Sequence, residues 1–410
     1  METINELDII QSENKEVQNE NEKENEKENE IESIKTWDEL DLKEDILRGI
    51  YRNGFENPTP IQSKAIKPIV QGRDIIAQAQ SGTGKTGAFT IASLQVVNIK
   101  ENTSQVLIIS PTRELVKQTC NVIEKIGDSC QGLLIKLLVG GTSVNEDINY
   151  LKKNKPHIVI GTSGRIYDMI RRKHLDTNYI KLIVLDEADE MLSKGFKLQI
   201  YDIFQYLPTS MRIALFSATI PYDVINLTKK IMTNPISITL RPEQLTLDCI
   251  QQYYIALQND SHKYETIKDL FSLIEVKQSI IYVNTIKRVN DLYDAMTNEG
   301  YPVCCIHSSM EKSQREDSLK QFRNGEFRIL ISSGITARGI DIQQVSVVIN
   351  FDITKDVNTY LHAIGRSGRY GRKGLAINFV TRSDIDIMKR IEKHYKIEIK
   401  ELPGNFNELI

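Results

Sequence analysis

Short apolar runs alternate with helical stretches along most of this 410-residue chain, and this alternation limits the folds that it can adopt. Five runs precede residue 220, and they read DIIAQ, QVLIIS, HIVIG, KLIVLD and RIALFS. Runs without polar alternation predict strands that are covered on both faces, and the intervening helices predict β-α units with a parallel sheet. The first part of the chain is therefore expected to form an α/β domain.

The alternation breaks over residues 234–247 and then resumes. The break reads NPISITLRPEQLTL, where two prolines and no clear period predict an interdomain linker. Five more runs follow, namely SIIYV, PVCCIH, RILIS, SVVIN and LAINFV. We expect two tandem α/β domains, at residues 64–238 and 249–410, joined by a linker at 239–248.

The first 34 residues form an acidic segment with almost nothing to bury, which predicts a disordered tail. They carry 12 acidic and 3 basic side chains, so the chain's net charge of -3 hides a body of about +6. A mildly basic body suits an anionic partner.

From Trp37 the spacing becomes helical over WDELDLKEDILRGIYRNG, with Gly54 as the predicted C-terminal cap.

Composition excludes several classes of protein. The apolar runs are too short to span a bilayer and the N-terminus lacks the apolar segment of a secretory signal, so we expect neither a membrane nor a secreted protein. Five cysteines without a C-x-x-C pair predict a reducing compartment, the cytoplasm or the nucleus. Six scattered histidines predict no metal site beyond a nucleotide-bound Mg²⁺.

Residues 79–86 read AQSGTGKT and match a phosphate-binding loop between a predicted strand and a predicted helix. Glycines let backbone N–H groups face phosphates, and a helix N-terminus adds positive potential. Lys85 would reach the β- and γ-phosphates of ATP, and Thr86 would ligate Mg²⁺. A Gly-rich surface turn is the weaker alternative. The predicted phosphate-binding residues are Ala79, Gln80, Ser81, Gly82, Thr83, Gly84, Lys85 and Thr86.

An acidic group follows the predicted strand KLIVL, at Asp186-Glu187-Ala188-Asp189. Ligands bind at the carboxyl ends of parallel strands, so these acids are expected near the phosphate loop. Asp186 would hold the Mg²⁺, and Glu187 would orient and deprotonate the attacking water. An ordinary acidic loop is the alternative, which the strand context disfavours.

Taken in order, these motifs resemble those of the DEAD-box RNA helicases, from about Trp37 to the C-terminus. Within residues 35–63, GFENPTPIQ is similar to the family's Q motif, and this resemblance implies that Gln62 recognises adenine while Phe55 stacks on it. Ser217-Ala218-Thr219 resembles the segment that couples ATP to RNA. The resemblance implies two RecA-like domains and the branch of eukaryotic translation initiation factor 4A with its nuclear relatives.

The resemblance also implies an RNA-facing set in the first domain, carried by PTREL at 111–115, the pair at 140–141 and TSGR at 162–165. Such a groove contacts phosphates and 2′-hydroxyls rather than base edges, which gives RNA preference without sequence specificity. Each residue could instead be a cap, a turn or a surface residue. The candidates are Thr112, Arg113, Gly141, Thr162, Gly164 and Arg165.

In the second domain, ARGID at 337–341 and GRSGR at 365–369 resemble nucleotide-facing motifs of the family. The resemblance implies that Arg366 and Arg369 stabilise charge on the γ-phosphate when the domains close, and that Asp341 contacts the ribose. Arginines beside glycine could also be solvated loop residues.

The chain departs from the family pattern at several positions. Trp37 stands where the family usually has Phe, and Ser163 replaces a proline. Gly334 replaces an aspartate, and Ala363 replaces an arginine in HAIGRSGR. We expect intact ATP binding with reduced hydrolysis or unwinding, because the lost charges fall in the second domain.

The predicted function is an RNA-dependent ATPase that opens short RNA duplexes locally, acts as a monomer and uses ATP with Mg²⁺. An accessory protein that aligns the two domains is a possible partner. The alternative is an ATP-gated RNA clamp with weak turnover, which the second-domain departures favour. A third interpretation is a motor that acts on DNA. The Q motif and the DEAD sequence both argue against it.

Overall fold

A computed structural model describes residues 34–79, 82–193, 195–239, 250–273, 278–333, 345–367 and 374–404. Apart from residues 80–83, the chain divides into two compact units between residues 240 and 241. Each unit is built around one parallel sheet, which confirms the predicted α/β class. The predicted disordered tail, residues 1–34, lies outside the described residues except for its last one.

The first sheet consists of seven parallel strands in the described part of the chain, and its order places strands from distant sequence side by side. The strands are β1 (Ile75–Gln78), β2 (Val106–Ile109), β3 (Ile135–Leu138), β4 (Ile158–Gly161), β5 (Leu182–Asp186), β6 (Arg212–Ser217) and β7 (Ile236–Thr239). They pair in the order β3-β4-β2-β5-β6-β1-β7. Every residue of β2, β4 and β5 is buried, because helices cover both faces.

Helices connect these strands, and several of them begin at the carboxyl edge of the sheet. They are α1 (Glu44–Arg52), α2 (Pro60–Val70), α3 (Lys85–Val96), α4 (Arg113–Ile126), α5 (Val144–Lys153), α6 (Ser163–Arg171), α7 (Ala188–Ser193), α8 (Lys197–Phe204) and α9 (Tyr222–Ile231). Helix α3 is apolar on most of its surface and is almost wholly buried, with α2 packed against it. It therefore lies at the centre of the unit, directly after the phosphate loop.

The second unit repeats the same plan. Its parallel strands are β8 (Ile250–Ala256), β9 (Ser279–Val283), β10 (Val303–Ile306), β11 (Ile329–Ser333), β12 (Val347–Asn350), β13 (Gly374–Val380) and β14 (Lys400–Glu401). Their order is β10-β11-β9-β12-β13-β8-β14. The helices are α10 (His262–Leu273), α11 (Ile286–Asn298), α12 (Lys312–Arg323), α13 (Val357–Ile364) and α14 (Ile385–Tyr395).

Two local expectations need correction. The helical stretch predicted from Trp37 is a 3₁₀ turn over Trp37–Leu40 followed by α1, because Asp41 adopts a left-handed conformation between them. The segment at 234–247 begins with β7, which pairs with β1. Residues 240–249, which hold most of the predicted linker, lie outside the described residues. Among helices in the described ranges, none is long and apolar enough to cross a membrane.

Candidate nucleotide site and RNA-facing loops

The strand order of the first sheet brings three predicted motifs to one edge. Strand β6 lies between β5 and β1, so the carboxyl ends of β1, β6 and β5 are neighbours. The phosphate loop follows β1, the segment at 217–219 ends β6, and the acids end β5. The parallel pairing of the strands thus brings together residues that are about a hundred positions apart in the sequence.

The phosphate loop enters helix α3 through a backbone that only glycine tolerates well. Gly84 is the N-cap of α3 with φ 102°, and Gly82 has φ 85°. A Cβ added to Gly84 would lie 2.6 Å from Thr59 Oγ1, so a side chain there would also clash. The loop therefore presents backbone N–H groups at the start of a twelve-residue helix, an arrangement that binds phosphate. Gln80 and Ser81 lie outside the described residues.

Lys85 and Glu187 form a buried ion pair. Lys85 Nζ donates to Glu187 Oε1 at 3.1 Å, and both side chains are more than nine-tenths buried. Glu187 adopts φ 50°, which is unusual for a residue other than glycine and occurs preferentially at functional sites. The pair joins the phosphate loop to the catalytic acid predicted from sequence.

Asp186 lies beside this pair at the end of β5. Burial, and then the Glu187 carboxylate, raise the pKa of Asp186 to about 7, although the Lys85 charge opposes the change. A cation at the carboxylate would relieve both causes. Thr86 and Asp186 offer hard oxygen donors of the kind that Mg²⁺ prefers, so the residues present fit this ion. When bound, Mg²⁺ would neutralise charge on the phosphate oxygens.

This raised pKa leads to a pH prediction. Below about pH 7 the Asp186 carboxyl holds a proton, which a metal ion must displace before it binds. Mg²⁺-dependent ADP affinity should therefore rise as pH increases from 6 to 8, by up to about tenfold per pH unit below the pKa. Titrations with and without EDTA at each pH measure the effect. A Mg²⁺-dependent affinity that stays flat over this range would contradict the assignment.

The Q-motif residues pack directly on the phosphate loop. Gln62 is fully buried, and its side chain accepts from Thr59 N at 2.8 Å and donates to Gly84 O at 3.2 Å. A Cβ added at Gly87 would lie 2.6 Å from Gln62 Nε2 and 3.5 Å from the Phe55 ring. Phe55 and Gln62 are thus brought together at the first turn of α3.

The Trp37 side chain forms a hydrogen bond with the backbone of Phe55. The indole is fully buried, and Trp37 Nε1 donates to Phe55 O at 2.9 Å. The departure from the family's Phe therefore adds a hydrogen bond as well as bulk, which sequence comparison alone did not reveal.

Trp37→Phe should keep an aromatic ring but leave the Phe55 carbonyl without this donor and open a small cavity. We expect a loss of about 1–3 kcal/mol in the free energy of unfolding. ADP affinity should fall about fivefold, as a change of about 1 kcal/mol implies. Urea unfolding and ADP titration measure the two effects. If ADP affinity is unchanged while stability falls, Trp37 contributes to packing alone.

Asp189 connects the acidic motif to the predicted coupling segment. Thr219 Oγ1 donates to Asp189 Oδ2 at 2.7 Å, and Asp189 N donates to Ser217 Oγ at 3.2 Å. Ala218 O accepts from Gln78 at 3.3 Å, which fixes the segment to the end of β1. Sequence reasoning assigned Asp189 no role, although its place as the fourth residue of the motif was the available signal.

The predicted RNA-facing residues lie around the starts of three helices. Helices α4, α5 and α6 follow β2, β3 and β4, which are adjacent in the order β3-β4-β2. Thr112 caps α4, where its hydroxyl accepts from Leu115 N at 3.3 Å. Thr162 caps α6, and Gly164 is exposed in its first turn. Three neighbouring N-termini create a positive edge suited to backbone phosphates.

Three of the predicted residues, Arg113, Gly141 and Arg165, make contacts within the unit. A Cβ added to Gly141, at φ 77°, would lie 2.4 Å from Arg113 Nη1, so this loop lies close against Arg113. Arg165 is buried, pairs with Asp147 and donates to Thr142 O at 2.8 Å. Its guanidinium thus supports the loop at 140–142 from within, a buried role that the sequence did not predict.

In the second unit, Arg366 is described while Asp341, Gly334 and Arg369 lie outside the described residues. Arg366 follows α13, and its N–H donates to Ala363 O at 3.2 Å. Burial raises the pKa of Tyr282 to about 12, and the nearby Arg366 charge opposes that rise. Ala363 is 3% exposed and packs in an apolar cluster with Tyr282. An arginine restored there would have to displace these side chains.

Comparison with known protein families gives two matches along the chain. Residues 59–227 match the DEAD/DEAH box helicase family, and residues 262–371 match the helicase conserved C-terminal domain. The first matched segment contains strands β1 to β6 of the first sheet, and the second contains strands β9 to β12 of the second sheet.

Known relatives and solved structures cover nearly the whole chain. The chain is 48% identical over 375 residues to the ATP-dependent RNA helicase eIF4A of Aspergillus niger, covering 92% of this chain and 94% of that protein. It is 47% identical over 375 residues to FAL1 of Coccidioides immitis, with coverages of 92% and 94%. S. cerevisiae Dbp5 bound to RNA and ADP BeF3 matches with TM-score 0.83, 35% identity and coverages of 92% and 98%. The two-domain RecA-like architecture is thereby confirmed.

Proposed function

The chain belongs to the DEAD-box helicases, and from this premise we propose that it is an ATP-dependent RNA helicase that opens short duplexes locally or remodels RNA–protein complexes. The observation that carries this proposal is the buried edge where the phosphate loop, Glu187 and the segment at 217–219 meet. This edge holds the parts that phosphoryl transfer to water requires.

The nucleotide is bound by residues that surround the first turn of α3. Backbone N–H groups of the phosphate loop and Lys85 hold the phosphates, Phe55 and Gln62 contact the adenine, and Thr86 with Asp186 would hold Mg²⁺. Glu187 orients the attacking water and accepts its proton. Lys85 is placed to exchange its contact with Glu187 for the phosphates, which would release the carboxylate for this task.

Asp189 couples the ATP site to RNA, because it forms hydrogen bonds with both Ser217 and Thr219. RNA phosphates are held at the starts of α4, α5 and α6, with Thr112, Thr162 and Gly164 as contacts. Arg113, Gly141 and Arg165 shape this surface. From the family resemblance we propose that Arg366 and Arg369 act on the γ-phosphate and Asp341 on the ribose, and that bending of one RNA strand expels its partner.

An unwinding assay with RNA duplexes of increasing length tests this function. Local strand separation predicts ATP-dependent opening of duplexes of about one helical turn, with a steep loss of activity as length increases. Equal rates for short and long duplexes would contradict local opening. Competition with DNA strands of equal length tests the RNA preference, which 2′-hydroxyl contacts should provide.

A second candidate, an ATP-gated RNA clamp with weak turnover, is favoured by one observation. Ala363 fills an apolar cluster where the family carries a cation, so the second unit has one charge fewer to commit to the nucleotide. ATP-dependent RNA retention without strand separation would support the clamp.

Partners and compartment follow from the same premise. We propose that the protein acts as a monomer in the cytoplasm, with an accessory protein aligning its domains, as Gle1 and Nup159 are found bound to Dbp5 in solved structures. The described cysteines Cys120, Cys130, Cys304 and Cys305 are free thiols, as a reducing compartment allows.

A further inference from the structure

Lys43 occupies a position for which a lysine is poorly suited. It is the N-cap of α1, and its side chain makes no capping hydrogen bond there. N-cap positions favour Ser, Thr, Asp or Asn, whose side-chain oxygen accepts from the first turn, and a cation near a helix N-terminus opposes the helix dipole. A residue that departs from the N-cap preference in this way indicates that its side chain has another role.

The ammonium group is directed at the far end of the phosphate-loop helix. Lys43 Nζ donates to Val97 O at 2.6 Å, to Gln95 O at 2.8 Å and to Leu94 O at 3.3 Å. The last carbonyls of a helix have no partner within the helix, and they carry its negative potential. Helix α3 has no basic residue in its own last turn, so Lys43 supplies the cation that this end lacks.

The backbone around Lys43 strengthens this attachment. Lys43 N donates to Gln95 Oε1 at 3.0 Å, and Gln95 Nε2 donates to Asp41 O at 3.2 Å. At the opposite end of α3, Gln62 donates to Gly84 O. The segment before β1 therefore contacts the phosphate-loop helix at both ends.

We propose that Lys43 is a positioning residue for the nucleotide, which holds the C-terminal end of α3 and so sets the placement of the phosphate loop at its N-terminal end. The inference rests on the proposed nucleotide site. A helix of twelve residues is about 18 Å long and moves nearly as a rigid rod. A shift at one end is therefore transmitted to the other, and small misplacements of binding groups have large effects on catalysis.

Three substitutions separate positioning from simple stability. Lys43→Met keeps the length but removes the charge, and Lys43→Arg keeps a cation with donors. Lys43→Ser supplies the missing N-cap oxygen to α1 while it removes the contact with α3. Lys35→Met, at an exposed lysine of the same segment, is the matched control.

ADP affinity is the first measurement, made without RNA and without turnover. We expect about a fivefold loss for Lys43→Met and for Lys43→Ser, which corresponds to about 1 kcal/mol of binding free energy. Lys43→Arg should lie near the unaltered protein, and the control should not change. Equal ADP affinity in all four variants overturns the proposal. A loss in Lys43→Met that Lys43→Ser fully restores also overturns it, because helix capping would then explain the effect.

Hydrogen exchange of the nucleotide-free protein is the second measurement, and it is independent of ligand. Faster exchange in Lys43→Met at both residues 91–98 and residues 82–90 supports transmission along α3. Faster exchange confined to residues 91–98 overturns it. Absence of RNA-stimulated turnover in the unaltered protein would count against the proposed function alone, since neither measurement depends on hydrolysis.

Discussion

Replacing Arg366 by alanine should reduce RNA-stimulated ATP turnover by about 10³–10⁵-fold while ADP affinity changes little. Charge that develops on the γ-phosphate needs a cation in addition to Lys85 and Mg²⁺. Of the two arginines predicted for this role in the GRSGR motif, Arg366 is the one that the structure describes. Its backbone is fixed by the hydrogen bond to Ala363 O at the end of α13. Steady-state hydrolysis at saturating ATP and RNA measures the loss.

The control for this variant is Arg390→Ala, which removes an exposed arginine from α14 in the same unit. Arg390→Ala should retain full turnover. A loss below tenfold in Arg366→Ala would show that another cation serves the γ-phosphate, and Arg369 would be the next residue to replace.

Replacing Glu187 by glutamine should reduce turnover by about 10²–10⁴-fold, the usual contribution of a general base. The amide is nearly the same size as the carboxylate, so the position of α7 should be kept. Removing the charge also frees Lys85 from its 3.1 Å ion pair, and ATP affinity should therefore be equal or higher. Single-turnover hydrolysis and ATP titration measure the two effects, with Glu398→Gln on the exposed surface as control.

Turnover of Glu187→Gln within tenfold of the unaltered protein would contradict the assignment of the base. Lost ATP affinity would instead indicate that the Lys85–Glu187 pair supports the phosphate loop itself.

The parts of the fold that could be predicted from sequence are those whose pattern is complete within a short segment. Strands β2, β4 and β5 are buried at every residue, so their apolar runs identify them. Strands β3 and β7 lie at the edges of the first sheet and are only partly buried. Their mixed composition gives no continuous run, which is why they were not predicted.

The same distinction applies to the site. The phosphate loop and the acids after β5 are local motifs with a strand context, so their meeting at one sheet edge followed from the parallel topology. The contacts of Trp37 with Phe55, of Lys43 with α3 and of Arg165 with Asp147 depend on how helices pack. No sequence pattern predicts these contacts. Each one joins two segments, and the packing of the whole core determines how far apart those segments lie.

On this account, RNA stimulates ATP hydrolysis at the edge formed by the phosphate loop and Glu187. The measurement that tests it most directly is steady-state ATP hydrolysis with and without single-stranded RNA, with Glu187→Gln as the blank. We predict strong stimulation by RNA that disappears in the blank. Hydrolysis that is independent of RNA, or equal in Glu187→Gln, would contradict the claim.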